Sequence, residues 1–193
     1  MEKINKEVKF ILKDSNIIEK LRNNKAVLIG GTKETTIRYD DEKCNYEKVG
    51  KFIRVRTGFN NIISIKEKLE EKDDDKVFKR KDIEIEVDDV NNLQYLLESL
   101  GLKQVGIMEK YRLKWDYKGN TINLDELPFG LFLEIHGEED SIFKIINELE
   151  IDKEEMFIGT YWNIFDIYKK ENEIKDENNI IFEDGYSYML AKF

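Results

Sequence analysis

The chain has 193 residues, of which 40% are hydrophobic and 11% aromatic, a composition typical of one domain with a sizeable core. Its net charge of −9 excludes a general nucleic-acid binder, because such proteins need an excess of Lys and Arg to displace counterions. A single cysteine, Cys44, excludes an intrachain disulfide and a cysteine-cluster metal site.

The N-terminal residues enter an alternating pattern directly, without an apolar or Arg-rich targeting segment. No apolar run approaches the roughly 18 residues of a membrane helix. We therefore expect a cytoplasmic protein with no membrane partner. We expect residues 1–170 to form one domain and residues 171–193 to form a C-terminal extension that adds an edge strand.

In chain order, eight segments alternate between apolar and polar residues, which is the period-two pattern of β-strands. They cover about residues 3–12, 34–41, 50–58, 61–68, 79–87, 104–115, 119–125 and 130–137. Helical spacing predicts helices at about 14–25, 88–101, 140–149 and from 151 to 170. The acidic run at 70–76 indicates a solvated loop, and residues 180–182 a last strand. These elements predict an α+β fold, a closed eight-stranded antiparallel β-barrel or tunnel with helices packed outside.

Three of the predicted strands carry basic residues two positions apart, with apolar residues between them. The rows are Arg54 and Arg56, then Lys66 and Lys68 after Ser64, then Lys110, Arg112 and Lys114. Any one row is explained by a solvent-exposed face with cross-strand ion pairs. Three rows together favour a shared lumen, where a bound polyanion compensates the buried positive charge.

Acidic residues alternate with apolar ones in the same way. The sets are Glu7 beside Lys9, Glu84 and Glu86, Asp125 after Asn123, and Glu134 before His136. Arg provides forked hydrogen bonds to phosphate, and inward carboxylates hold a hard cation such as Mg²⁺ or Mn²⁺. Together these groups indicate phosphoryl chemistry, in which positioning and charge neutralisation dominate.

An ordered set of these segments resembles the CYTH superfamily, also called triphosphate tunnel metalloenzymes, and most closely its class IV adenylate cyclase (CyaB) branch. The segments are Glu7-Val8-Lys9, residues 50–56, residues 82–88 with the helix that follows, Lys110-Tyr111-Arg112, residues 123–127 and residues 132–135. The resemblance covers about residues 3–168.

The resemblance implies an eight-stranded tunnel, Mg²⁺ or Mn²⁺, and a small-molecule triphosphate: ATP, thiamine triphosphate or inorganic triphosphate. It implies that the phosphates bind Lys9, Arg54, Arg56, Lys66, Lys110 and Arg112. Glu7 and Glu134 are the leading metal ligands that it implies, with Asp125, Glu84 and Glu86 as second-rank candidates. Lys9, Arg112 and Glu134 are the expected catalytic residues.

Two positions depart from the family pattern. Asn5 stands where the family opens with Glu, and His136 stands where the late strand has a second Glu. Each change replaces an anionic oxygen ligand with a neutral one, which weakens a Mg²⁺ site and favours Mn²⁺. For His136 a metal role and a structural role both stay open.

Two classes of function are consistent with these residues. The first is an enzyme: a cyclase that converts ATP to cyclic AMP and pyrophosphate, or a triphosphate phosphohydrolase. The second is a non-catalytic module that binds a nucleotide or polyphosphate through a degraded metal site, which Asn5 and His136 support. The sequence leaves monomer and homodimer open.

Overall fold

A computed structural model describes residues 2–69, 76–175 and 178–193, so most of the acidic run predicted as a loop lies outside the described residues. Eight antiparallel strands form a closed barrel, which confirms the predicted fold. They are β1 (Glu2–Leu12), β2 (Val27–Asp40), β3 (Lys51–Thr57), β4 (Ile62–Lys68), β5 (Phe78–Glu86), β6 (Lys103–Tyr117), β7 (Asn120–Leu127) and β8 (Gly130–His136). Around the barrel the order is β1-β5-β4-β3-β2-β6-β7-β8, and β8 pairs again with β1.

Strand β1 closes the barrel by pairing with a strand on each side. Its residues up to Glu7 pair with β5, where Glu7 lies opposite Phe78. From Glu7 onward it pairs with β8, where Glu7 lies opposite His136. A two-residue strand, β9 (Met156–Phe157), continues along the edge of β1 that β5 leaves.

Four helices lie on the outside of the barrel, and all of them except the four-residue helix, which has no buried residue, cover apolar faces of the strands. They are α1 (Ile17–Asn23), α2 (Asn45–Lys48), α3 (Val90–Ser99) and α4 (Glu139–Glu148). Leu21 of α1 and Ile142 of α4 belong to the main core together with Val8 of β1. Leu97 of α3 packs with Val55 of β3 in a second cluster. Because successive residues of a strand point to opposite faces, this packing turns the polar residues toward the lumen.

The last helix, α5 (Tyr161–Glu171), packs differently. Its Tyr161 and Phe165 contact Met108 and Phe132, which have the same parity as the lumen residues Lys110 and Glu134. Helix α5 therefore lies across one end of the barrel.

Three element boundaries differ from the sequence-based predictions. Strand β2 begins at Val27, whereas the sequence predicts a start at 34. Gly30 and Gly31 have no side chains, so the alternating pattern of a strand is not visible there. The packing requires glycine at 31, because a Cβ on Gly31 would lie 2.7 Å from Leu113 Cδ2. The stretch from 151 to 160 is not helical; it contains a short 3₁₀ turn and β9, and Gly159 adopts φ 154°.

The predicted last strand is reduced to one parallel bridge, Met108 to Ile180. Because β7 ends at Leu127, it pairs with β6 only from Tyr111 onward. The edge of β6 at Met108 is therefore available to pair with Ile180. Within the described ranges, no helix has the length and apolar character to cross a membrane.

Candidate functional site

The barrel encloses a cavity of about 1140 Å³. All six cations predicted to bind phosphate line it: Lys9, Arg54, Arg56, Lys66, Lys110 and Arg112. Five of the six predicted metal ligands also line it: Glu7, Glu84, Glu86, Glu134 and His136. The alternation of the strands thus brings both signs of charge into one space, and the roles of these residues remain predictions.

Glu7, Glu134 and His136 form a compact set of potential metal ligands on β1 and β8. One ligand atom from each lies within 4.8 Å of the others. The β1–β8 register causes this, because Glu7 lies opposite His136 and Lys9 lies opposite Glu134. Asn5 adjoins the set: its Nδ2 donates to Glu7 Oε2 at 2.8 Å, and its Oδ1 lies 3.1 Å from His136 Nδ1. Both departures from the family pattern therefore lie at this cluster.

The two carboxylates of this cluster stay ionised at neutral pH. Burial opposes ionisation of Glu7, but the adjacent Lys9 overrides it and holds the pKa of Glu7 at about 2. For Glu134 burial is likewise outweighed by Lys9 and Arg112, which place its pKa well below the usual value. Two carboxylates and an imidazole fit a divalent cation that keeps other positions open, and Mn²⁺ accepts the imidazole more readily than Mg²⁺.

Asp125 is a hub of hydrogen bonds that does not reach the cavity surface. Its side chain is 0% exposed. Arg112 donates to both of its oxygens, from Nε at 2.6 Å and from Nη2 at 2.5 Å, and Lys110 Nζ lies 3.1 Å from Oδ2. Arg112 Nη2 also lies 3.1 Å from Glu134 Oε1. Asp125 thus orients lumen cations and lies outside the ligand cluster, as do Glu84 and Glu86.

The opposite wall of the barrel carries cations that are less fully neutralised. Strands β3 and β8 are four places apart in the ring of eight, so Arg54, Arg56 and, on the adjoining β4, Lys66 face the ligand cluster across the lumen. Burial and the neighbouring Arg56 lower the pKa of Arg54 to about 10. Burial and Arg54 lower the pKa of Lys66 to about 8, although Lys66 donates to Asp82. Glu84 also lies 3.4 Å from Arg54, but the lowered pKa values of Arg54 and Lys66 show that neighbouring carboxylates compensate the positive charge of this wall only in part, which favours an anionic ligand.

A CYTH domain model matches residues 3–178, which is nearly the whole chain. The chain belongs to the CYTH family. The PH1819 protein from Pyrococcus horikoshii OT3 is 26% identical, with a TM-score of 0.69, over 85% of this chain and 99% of that one. A candidate adenylate cyclase from Vibrio parahaemolyticus is 16% identical, with a TM-score of 0.70, over 85% and 98%.

A candidate adenylyl cyclase from Hippeastrum with a dominant triphosphatase activity is 14% identical, with a TM-score of 0.54, over 99% of this chain and 94% of that one. No curated protein gives a significant match.

Cations and aromatic side chains of this CYTH barrel alternate in one continuous series of contacts. Its members, in order, are Lys110, Tyr161, Lys9, Phe78, Arg80, Phe52, Arg38 and Trp162. Each contact places the cation between 4.7 and 5.8 Å from the ring centroid. The series begins near Tyr161 and ends at Trp162, both on α5, and so links that helix to five strands.

Several residues of the CYTH site were missed by sequence reasoning: Arg38, Arg80 and Asp82 line the cavity, and so do Glu34 and Tyr161. Glu34, 3% exposed, places Oε2 3.3 Å from Lys110 Nζ; burial opposes its ionisation, but Arg112 and Lys110 hold its pKa at about 2. Its parity with Thr36 and Arg38 on β2 was a signal that could have identified it. Helical spacing places Tyr161 in the apolar stripe of the helix predicted from 151 to 170, and nothing in the local sequence distinguishes it.

Proposed function

We propose that this CYTH protein is a metal-dependent enzyme that acts on a triphosphate, either as an adenylate cyclase or as a triphosphate phosphohydrolase. The observation that carries the proposal is the two-walled lumen. Cations on β3 and β4, whose positive charge is compensated only in part, face a carboxylate–imidazole cluster on β1 and β8. A polyphosphate chain between these walls would be neutralised from both sides.

In this arrangement Arg54 and Arg56 supply forked donors, and Lys66 supplies a point charge to phosphate oxygens. Glu7, Glu134 and His136 would hold Mg²⁺ or Mn²⁺, which would supply positive charge to neutralise the charge that develops on the phosphoryl group. Lys9 and Arg112 are already oriented by carboxylates. Their donors would stabilise charge on the transferred group without reorganisation.

The two activities differ in the attacking group. In a cyclase the ribose 3′ oxygen attacks the α-phosphorus and pyrophosphate leaves, whereas in a hydrolase water attacks the terminal phosphorus. A cavity of about 1140 Å³ has room for either a nucleotide or inorganic triphosphate, since ligand pockets are typically about 300–1,000 Å³. The dominant triphosphatase activity of the Hippeastrum protein is a reason to test hydrolysis alongside cyclisation.

The proposal is tested with ATP, thiamine triphosphate and inorganic triphosphate, each with Mg²⁺ and with Mn²⁺, and with identification of the products. We expect metal-dependent release of pyrophosphate with cyclic AMP, or of orthophosphate. If the protein binds a triphosphate tightly but turns over none of the substrates, the hypothesis of a non-catalytic binding module replaces that of an enzyme. If no triphosphate binds in calorimetry, the proposed function is wrong in both forms.

The pKa of Lys66 predicts a pH dependence of phosphate binding. The pKa of about 8 means that Lys66 is charged below pH 8 and becomes neutral as the pH rises through that value. A polyanion binds the charged form, so the affinity for inorganic triphosphate without metal, taken relative to Lys66→Arg at each pH, should be constant well below pH 8. Above pH 8 it should fall, by up to about tenfold per pH unit, because binding then takes up a proton.

The matched control for this pH dependence is Lys66→Arg, because a guanidinium stays charged throughout this range. Calorimetry of both proteins from pH 7 to pH 9.5 measures the effect. An equally steep loss in Lys66→Arg would show that another group is responsible.

Restoring the acidic ligand at position 136 should tighten metal binding. His136→Glu adds a third carboxylate beside Glu7 and Glu134, so Mg²⁺ should gain more than Mn²⁺, which tolerates imidazole. The metal-free variant should unfold at a lower temperature, because like charges then lack a counterion. Metal titrations followed by thermal unfolding test both effects, and Asn5→Glu provides a second version of the change. Unaltered Mg²⁺ affinity in both variants would contradict a metal site at this cluster.

A further inference from the structure

Helix α5 begins at a point that directs Tyr161 into the barrel. Thr160 caps the helix by accepting a hydrogen bond from the Asn163 backbone N–H, and the Asn163 side chain accepts one from the Thr160 N–H in return. This reciprocal cap fixes the first residue of the helix. Tyr161 is consequently 4% exposed although it lines the cavity.

Tyr161 contacts three charged groups of the lumen at once. Its hydroxyl donates to Asp125 Oδ2 at 2.7 Å. Lys9 Nζ and Lys110 Nζ each lie 5.2 Å from the centroid of its ring. Lys9 comes from β1 and Lys110 from β6, and β7 and β8 lie between these strands. A single ring therefore spans the two lysines across the lumen.

These contacts exceed what a core aromatic residue requires. Phe132 already packs against the edge of the Tyr161 ring, with centroids 5.3 Å apart, and a phenyl ring would satisfy that contact. Burial and Asp125 raise the pKa of Tyr161 well above its usual value, so the hydroxyl remains a donor at neutral pH. The ring faces two ammonium groups, an arrangement that attracts cations electrostatically and limits the positions they adopt.

We propose that Tyr161 is a positioning residue that holds Lys9 and Lys110 for phosphate binding, which makes α5 part of the substrate site. This inference rests on the proposed function. An ammonium group on a flexible four-carbon chain is immobilised when it binds phosphate, and immobilising such a chain costs affinity. Carboxylates already hold both ammonium groups, Glu7 and Glu134 for Lys9 and Glu34 and Asp125 for Lys110. The ring of Tyr161 adds a contact that a bound phosphate does not compete for, so the cost of ordering the lysines is reduced further.

The test compares Tyr161→Phe, which keeps the ring, with Tyr161→Leu and Tyr161→Met, which remove it. Calorimetry with inorganic triphosphate in the absence of metal should show that Phe keeps most of the affinity. Leu and Met should lose about tenfold or more, since both cation–ring contacts disappear. The matched control is Ile164→Ala, which removes buried apolar volume from the same helix and the same apolar cluster, at a residue outside the described cavity lining.

A second measurement does not depend on triphosphate binding. Amine acetylation of the ligand-free protein, mapped by mass spectrometry, reports access to Lys9 and Lys110, with exposed Lys118 as the internal reference. Tyr161→Leu and Tyr161→Met should accelerate modification of both buried lysines severalfold, whereas Tyr161→Phe and Ile164→Ala should not.

The two measurements separate the possible failures. If the unaltered protein binds no triphosphate, the proposed function is wrong, while increased acetylation in Tyr161→Leu still supports the positioning role. If acetylation is unchanged when the ring is removed, Tyr161 does not hold the lysines. If Ile164→Ala loses as much affinity as Tyr161→Leu, the effect is general loosening of α5, and the inference is also overturned.

Discussion

Replacing Glu134 with Gln should reduce metal-dependent turnover by at least about 100-fold. The change removes an anionic ligand from the Glu7–Glu134–His136 cluster, and loss of a group that only supports a metal ligand already costs about 10–100-fold. Steady-state assays at saturating Mn²⁺ measure the loss of turnover, and metal titrations measure the loss of metal affinity. Turnover equal to that of the unaltered protein would remove Glu134 from the site.

The same substitution should also destabilise the fold. From the sequence alone, a carboxylate in the lumen is expected to be dispensable for stability. Glu134, however, is only 5% exposed. Its carboxylate lies 3.2 Å from Lys9 Nζ, 3.1 Å from Arg112 Nη2 and 3.0 Å from Asn123 Nδ2. A neutral amide weakens these charge-assisted bonds, at a cost of about 1–3 kcal/mol. Glu67→Gln on the barrel exterior is the control for urea unfolding, and its midpoint should not shift.

Replacing Asp125 with Asn should produce the largest loss of stability among single isosteric changes at this site. Arg112, Lys110 and Tyr161 all donate to this carboxylate, which is fully buried. Asn removes the charge that compensates two cations and points an N–H toward donors. Removing one partner of a buried ion pair costs about 3–5 kcal/mol, and we expect a loss of this size in urea unfolding.

The control for Asp125→Asn is Glu42→Gln, which neutralises the exposed partner of Lys103. Exposed pairs contribute little, so its unfolding midpoint should match that of the unaltered protein. A shift in Asp125→Asn no larger than in this control would mean that the donors around Asp125 find other partners.

The barrel and the convergence of its cations could be predicted because both follow from local alternation. A period of two residues determines which side chains share a face, and Arg54 and Arg56 need no information beyond their own strand. The start of β2 could not be predicted in this way, because Gly30 and Gly31 carry no side chain that reports a face.

Which carboxylates meet could not be predicted, because that depends on register between distant strands. Glu7 lies beside His136 only because β1 pairs with β8. Asp125 forms its ion pair with Arg112 because β6 pairs with β7. The role of Tyr161 depends on where α5 lies relative to the barrel. A helical apolar stripe indicates that a residue is buried, but it does not indicate against which charges.

The pairing of β1 has a consequence for how the protein folds. Strand β1 is made first, yet its partners end at Glu86 and His136, so closing the barrel requires contacts between residues far apart in the chain. Such contacts cost loop entropy before they contribute stability, and chains that depend on them fold slowly. Glu7 and His136 become neighbours only when β1 pairs with β8. A metal ion held by both would stabilise the chain with this pairing formed and not without it, so metal-dependent refolding kinetics should report when β1 and β8 pair.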